Sequence, residues 1–232
     1  MSDAAAMLRI TGIKTQTVDI ALFTMRLSVL GEAFAAPTQP GQVAILQVGA
    51  EAPAYFALAH APHETDWQFL VKRGRGASGE LFKQKVGAEI GLQKIVGRGF
   101  NVTAQRGRDL VFVAMGTGVA PLRSAWRHIL TERENYGRLI LLYGARTNAE
   151  LCFADEIEML RAAGVEISMT VSNPENGLPT NGRGYAQHLL DDFLPQLRQP
   201  VALICGSPAM MEDTRARLLA HALASEAILT NY

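Results

Sequence analysis

The 232-residue sequence predicts a β plus α/β protein. An antiparallel β-barrel is expected over 1–104, followed by a Rossmann-like parallel α/β domain over 108–232. Three observations predict this. In the first half, short apolar runs separated by turn residues recur at about 8–12 positions, the pattern of a small barrel. In the second half, runs beginning at Leu110, Leu139 and Val201 each lead into glycine and then into a helical pattern. Such runs suit strands buried on both faces of a parallel sheet. Between the halves, Gln105-Arg106-Gly107-Arg108 is polar and aperiodic, as an interdomain link is.

Composition narrows the class. Lys+Arg and Asp+Glu are equal at 22 each, so no basic excess drives nucleic-acid binding. Cys152 and Cys205 are the only cysteines. They suit a reducing compartment and are too few for an iron–sulfur centre, which takes about four thiolates. No apolar run approaches the ~20 residues of a membrane span. Met1 to Ala6 carry no basic segment and no long apolar core, so no secretory signal is expected. A cytoplasmic location is expected, or a stromal one after removal of a transit segment.

Ile10, Ile13, Val18, Ile20, Leu22, Leu27 and Val29 open the first half in short runs. Residues 43–48, 55–59 and 67–71 read as further strands, with Pro40-Gly41 turning the chain before the first of them. Lys72 to Phe82 is a glycine-rich turn leading through Ser78 into a short helix. A hydroxyl at a helix N-terminus with Lys72, Arg73 and Arg75 beside it favours an anion. A solvated basic loop before a capped helix would carry the same residues. Gly97-Arg98-Gly99-Phe100 ends the barrel.

In the second half, Gly116-Thr117-Gly118-Val119-Ala120-Pro121 follows the first strand. Two glycines one residue apart let the backbone turn tightly and approach a ligand. Pro121 suits the first turn of the helix that follows. Strand, glycine turn and helix form a phosphate-binding unit, although Pro121 departs from the G-x-G-x-x-G spacing. A tight turn without a ligand is the alternative. Helices are expected over 124–136, 148–163 and 212–223. Strands are expected over 165–172 and 227–232, and a loop over 173–177. Arg146 ends its strand where adenosine groups sit; an ion pair with Glu150 or Asp155 is its other reading. Arg183 is a second candidate phosphate contact.

Three stretches, Gly116 to Pro121, Tyr143-Gly144-Ala145-Arg146-Thr147 and Cys205-Gly206-Ser207-Pro208-Ala209-Met210-Met211, resemble in order and spacing the pyridine-nucleotide domain of ferredoxin–NADP reductase-like flavoproteins. Pro40-Gly41-Gln42 and the Gly76-Ala77-Ser78 turn resemble that family's flavin-binding barrel, so the resemblance covers nearly the whole chain. It implies FAD, with NADPH or NADH as coenzyme. It also implies electron transfer to an acceptor, for instance an electron-carrier protein, a quinone, free flavin or an oxygenase partner.

The resemblance assigns residues as well. Phe56, Ala57, Leu58 and His60 fall on the flavin-ring motif. Arg73, Gly76, Ala77 and Ser78 fall on the FAD diphosphate turn. Gly116, Thr117, Gly118, Pro121, Arg146, Cys205, Gly206 and Met210 fall on the nicotinamide coenzyme, with Cys205 beside the reacting carbon. Tyr232 is expected to cover the ring face. The ring motif departs from the family, because Ala54 replaces its arginine and Ala57 its serine. A flavin-free nucleotide-binding or regulatory subunit of the same fold is therefore the alternative to an NAD(P)H oxidoreductase.

Overall fold

The computed structural model describes residues 6–31, 34–174 and 182–232. Strands β1 (Ala6–Thr15) and β2 (Ile20–Leu30) pair as a long antiparallel hairpin. At its turn the Thr17 hydroxyl accepts the N–H groups of Asp19 and Ile20. β3 (Val43–Gln47), β4 (Ala54–Ala57), β5 (Trp67–Lys72) and β6 (Glu89–Val96) complete an antiparallel sheet in the order β4-β3-β6-β1-β2-β5. It curls like a barrel without closing along its length; the bridge between Leu58 and Phe69 joins its two ends. Phe23, Met25, Leu46, Phe69 and Leu81 of helix α1 (Ala77–Leu81) pack in its core.

The second sheet is parallel. Its strands are β7 (Leu110–Met115), β8 (Leu139–Ala145), β9 (Val165–Val171), β10 (Gly182–Arg183), β11 (Val201–Cys205) and β12 (Ile228–Leu229). They lie in the order β10-β9-β8-β7-β11-β12. Helices α2 (Val119–Ile129) and α3 (Ile157–Ala162) pack on the strand face that carries Phe112, Leu141 and Leu203. Helices α4 (Leu190–Phe193) and α5 (Pro208–Ala220) pack on the face that carries Val113, Ile140 and Ile204. Both faces are covered, which is why these strands read as continuous apolar runs.

The two sheets share a core. In β2, Ala21, Phe23 and Met25 face the barrel interior, whereas Ile20 and Leu22 join the cluster built around Trp126 and Phe112. Polar groups fix the same seam. Ser124 accepts the Gly41 N–H at 2.9 Å and donates to the His60 carbonyl, while Asn231 donates to the Gly41 carbonyl at 3.0 Å. Gly41 has φ +74°, and a Cβ there would lie 2.8 Å from the Phe100 ring, so the turn requires glycine.

Several expected elements differ. The helix expected over 124–136 begins at Val119 and ends at Ile129, because a 3-10 turn with Glu132 outside helical space (φ −145°) follows. The helix expected over 148–163 is interrupted by Phe153 at φ +59°, and α3 begins only at Ile157. The helix expected over 212–223 starts earlier, at Pro208, because the Ser207 hydroxyl caps it by accepting the Met210 N–H at 3.3 Å. The closing strand shrinks to Ile228–Leu229. The loop expected over 173–177 falls partly outside the described residues.

Candidate functional site

From β7 the chain moves through β8 to β9 on one side, then returns to place β11 against the other edge of β7. In such a sheet the crevice opens beyond the carboxyl ends of the two strands at the reversal. A cleft of about 560 Å³ lies there. Gly116, Thr117 and Gly118 line it from the β7 turn, and Pro121 from the first turn of α2. Arg146 lines it from the end of β8, and Cys205 and Gly206 from the end of β11. Ala57 of β4 and Lys72 of β5 line it from the barrel. Both sheets thus contribute walls to a single cleft.

The two glycines of the β7 turn are needed for different reasons. Gly116 has φ +54°, and a Cβ there would meet no other atom among the described residues, so conformation selects the glycine. Gly118 has helical dihedrals, but a Cβ there would collide with the Cys205 carbonyl oxygen and lie 2.9 Å from the Gly206 Cα. Space selects that glycine, because the ends of β7 and β11 touch at this point. Cys205 is half-buried, and burial pushes its thiol up to about 11, so it is neutral near pH 7. Arg146 is exposed and has no ion-pair partner among the described residues; Asp155 pairs instead with Lys14 at 2.6 Å.

Other expected residues lie elsewhere. Strand alternation turns Phe56 and Leu58 into the barrel core with Ala44 and Phe69, so neither forms a wall of the cleft. Tyr55, 72% exposed, shares the outer face of β4 with Ala57. His60 is 1% exposed. It accepts the Gln68 N–H through Nδ1 at 3.2 Å and packs on Trp67 with ring centroids 5.3 Å apart, away from the cleft lining. Met210 packs behind Gly206, its sulfur 2.8 Å from where a Cβ would stand. Tyr232 is exposed and donates to the Met211 sulfur at 3.3 Å, outside the cleft lining. Next to it, Asn231 ties the chain end to Gly41 and Gly99.

A second cavity of about 560 Å³ surrounds the turn before α1 and is lined by Arg73, Gly74, Arg75, Gly76, Gly79 and Lys83, among others. Ser78 donates to the Arg75 carbonyl at 3.2 Å, a contact within the turn. Ala77 is buried in the barrel core. A Cβ at Gly79 would collide with the Gly74 carbonyl, so the turn folds tightly on itself. Of the three neighbouring cations, Lys72 belongs to the main cleft and pairs with Asp19 at 3.3 Å. Arg73 and Arg75 belong to the turn, with the Arg73 guanidinium 4.7 Å above the Phe82 ring.

Sequence reasoning missed Glu150, Ser172, Gln187 and Ser207 as cleft residues. Ser207 had a readable signal, a serine N-cap before a proline in the first helical turn. The others come together only through the strand order.

Residues 112–216 match the model of the oxidoreductase NAD-binding domain. The chain is 24% identical over 210 residues to the sulfhydrogenase 1 subunit gamma of Pyrococcus furiosus, covering 88% of this chain and 70% of that protein. It is 30% identical over 192 residues to the reductase component DmpP of phenol 2-monooxygenase from Pseudomonas sp. strain CF600. That match covers 79% of this chain and 54% of DmpP, so the chain spans little more than half of that relative. A ferredoxin NADP+ reductase from Neisseria gonorrhoeae, solved with bound FAD and NADP, superimposes with a TM-score of 0.80. It is 20% identical, over 97% of this chain and 96% of that one. The match over 112–216 shows an oxidoreductase NAD-binding domain, and the two sheets together have the fold of the Neisseria reductase.

The residues present fit the cofactors that the resemblance to ferredoxin–NADP reductase-like flavoproteins implies. The glycine turn at the start of α2 leaves open space at Gly116, a cradle suited to a dinucleotide diphosphate. The turn over 73–79 offers two arginines to a second diphosphate. Beside the cleft, β4 offers a flavin ring the outer face of Ala57 and Tyr55 and no serine hydroxyl.

Proposed function

We propose that this chain is the reductase part of an electron-transfer system, taking reducing equivalents from a nicotinamide coenzyme and passing them through FAD to an acceptor. The observation that carries this reading is the single cleft walled by both sheets, with Ala57 and Lys72 opposite Thr117, Cys205 and Gly206. FAD, when bound, supplies the exchange between two-electron and one-electron chemistry. The chain positions the reactants and keeps water out.

In this reading the β7 turn holds the coenzyme diphosphate, and Arg146 meets the adenosine end. Cys205, as a neutral thiol, flanks the nicotinamide. Arg73 and Arg75 hold the FAD diphosphate, and Tyr55 with Ala57 borders the flavin ring. An electron-carrier protein or an oxygenase component fits the acceptor role, by analogy with the reductase component named for DmpP.

The test is reduction of the purified protein by NADPH and by NADH in a stopped-flow spectrophotometer, followed by an acceptor screen. A yellow protein bleached by either coenzyme supports the proposal. A colourless protein that takes up no added FAD yet binds coenzyme supports a second reading, a flavin-free nucleotide-binding subunit. The absence of serine and arginine side chains at Ala57 and Ala54 favours that reading.

A further inference from the structure

Beneath the cleft, one hydroxyl joins three segments of the nucleotide-binding sheet. Tyr143, near the end of β8, is 1% exposed. Its Oη donates to the Gly116 carbonyl at 3.2 Å and accepts the Cys152 N–H at 3.1 Å. The first contact holds the glycine turn. The second holds the segment after Glu150, itself a cleft residue. Burial pushes the phenol well above its ordinary range, so it remains a donor.

The contact to Gly116 has a directional consequence. In a trans peptide the C=O and the N–H of one plane point in opposite directions, and there are no cis peptide bonds among the described residues. Drawing the Gly116 carbonyl toward Tyr143 therefore turns the Thr117 N–H away from the buried hydroxyl, on the side of the turn that lines the cleft. The Val119 N–H also donates to the Gly116 carbonyl, so the phenol is the second of two donors holding this plane; once it is gone, Gly116 at φ +54° has no Cβ to restrict rotation against the one that remains. A rotated plane would present a carbonyl oxygen to the cleft, the wrong polarity for a phosphate.

We infer that Tyr143 is a positioning residue for the coenzyme: through the Gly116–Thr117 peptide it aims the Thr117 amide at the diphosphate of the dinucleotide. This inference rests on the proposed dinucleotide site. It adds a residue that touches no ligand and acts through the backbone.

The test uses the full chain with Tyr143→Phe, which keeps the ring and removes the hydroxyl. NADH binding is measured with inorganic pyrophosphate and with adenosine as competing probes. The expected result is a loss of about tenfold in NADH and pyrophosphate affinity, the scale of one hydrogen bond to a charged group, with adenosine competition unchanged. In steady state the KM for coenzyme rises and kcat at saturation is retained. Equal losses for pyrophosphate and adenosine, or no loss for either, overturn the inference.

A second measurement needs no variant. In the wild-type protein the Thr117 amide resonance should shift on adding pyrophosphate, and an unmoved Thr117 amide overturns the inference even where Tyr143→Phe fails to fold. Wild-type protein that binds NADH but yields to neither probe overturns this inference. Wild-type protein that binds no NADH overturns the proposed function itself.

Discussion

Arg123 of α2 and Glu156 form a nearly buried ion pair, the arginine Nε standing 2.8 and 2.9 Å from the two carboxylate oxygens. The same guanidinium donates to the Ala59 carbonyl at 2.7 Å and to the Gln68 side chain at 2.6 Å, both on the barrel side. It also lies 4.7 Å above the Phe153 ring. One side chain thus ties α2, the segment before α3 and the barrel together. Lys14–Asp155 and Arg127–Glu64 span the same boundary closer to solvent. Removing one member of a buried pair is costly because the other charge is left uncompensated. Arg123→Met should therefore destabilise the protein by about 3–5 kcal/mol. Arg123→Met combined with Glu156→Gln should recover part of that loss. Denaturant unfolding of the three proteins checks it; a double variant no more stable than Arg123→Met would deny the pairing its part.

The β7 turn allows two glycines to be contrasted. Gly118→Ala places a methyl group against Cys205 and Gly206, so it should push β7 and β11 apart and reduce coenzyme affinity by tenfold or more, about 1.4 kcal/mol. Gly116→Ala meets no neighbour among the described residues and bears the left-handed backbone cost of about 1–2 kcal/mol. Calorimetric titration with NADH and thermal melts separate the two. Equal affinity in Gly118→Ala and wild type would show that the strand ends can spread without disturbing the cleft.

The parallel sheet was legible because burial on both faces writes long apolar runs, and because glycine marks each strand end at the cleft. Gly116, Thr117, Gly118, Cys205 and Gly206 were found this way, since their signal is local. The barrel side was less legible. Residues 55–59 carry apolar side chains at every position, so alternation gave no sign of which faced inward. The family motif put the aromatic wall at Phe56, whereas the register of β4 against β3 buries Phe56 and exposes Tyr55. β2 hid a similar ambiguity: its run from Ile20 to Phe23 is apolar because one face meets the barrel core and the other meets the α/β domain. The break at Phe153 had no sequence signal, because a left-handed phenylalanine is set by its surroundings. There Gln16 accepts the Phe153 N–H at 2.8 Å.

Thiol chemistry offers an independent probe of the cleft. Burial raises both cysteines to about 11, but only Cys205 lines the cleft. Alkylation requires the thiolate. At pH 7 iodoacetamide should thus modify Cys205 on the order of a hundredfold more slowly than an ordinary thiol, whose pKa is about 8.5. The rate should climb about tenfold for each pH unit until it levels near the thiol's own pKa. Saturating coenzyme should protect Cys205 and leave Cys152 as it was. Peptide mass spectrometry after timed labelling reads both sites, and rapid labelling of Cys205 at pH 7 would contradict the buried neutral thiol.

His60 predicts how stability responds to acid. Burial dominates its environment and lowers its pKa from 6.5 to about 4. Glu64 opposes the shift, as does the Gln68 backbone contact, while Arg123 and Arg127 add to it. The folded protein therefore keeps the ring neutral at a pH where the unfolded chain has already protonated it. As pH falls from about 6.5 toward 4, the unfolded state binds the extra proton and gains relative to the folded state. The loss is complete below the folded pKa and amounts to about 3 kcal/mol, from about 1.4 kcal/mol per pKa unit. Burial also lowers His128, which works in the same direction as pH falls below 6.5. Glu64, whose carboxyl is held below its ordinary value beside Arg127, adds its own loss only at more acidic pH. His60→Phe isolates the imidazole. It removes the titrating group together with an Nε2 that has no hydrogen-bond partner among the described residues, and it keeps an aromatic ring against Trp67. Unfolding free energies measured in urea between pH 7 and pH 4 should fall less steeply in His60→Phe than in wild type, the two curves diverging as pH drops below 6.5. Parallel curves across that interval would mean that His60 takes up its proton in the folded state as readily as in the unfolded one.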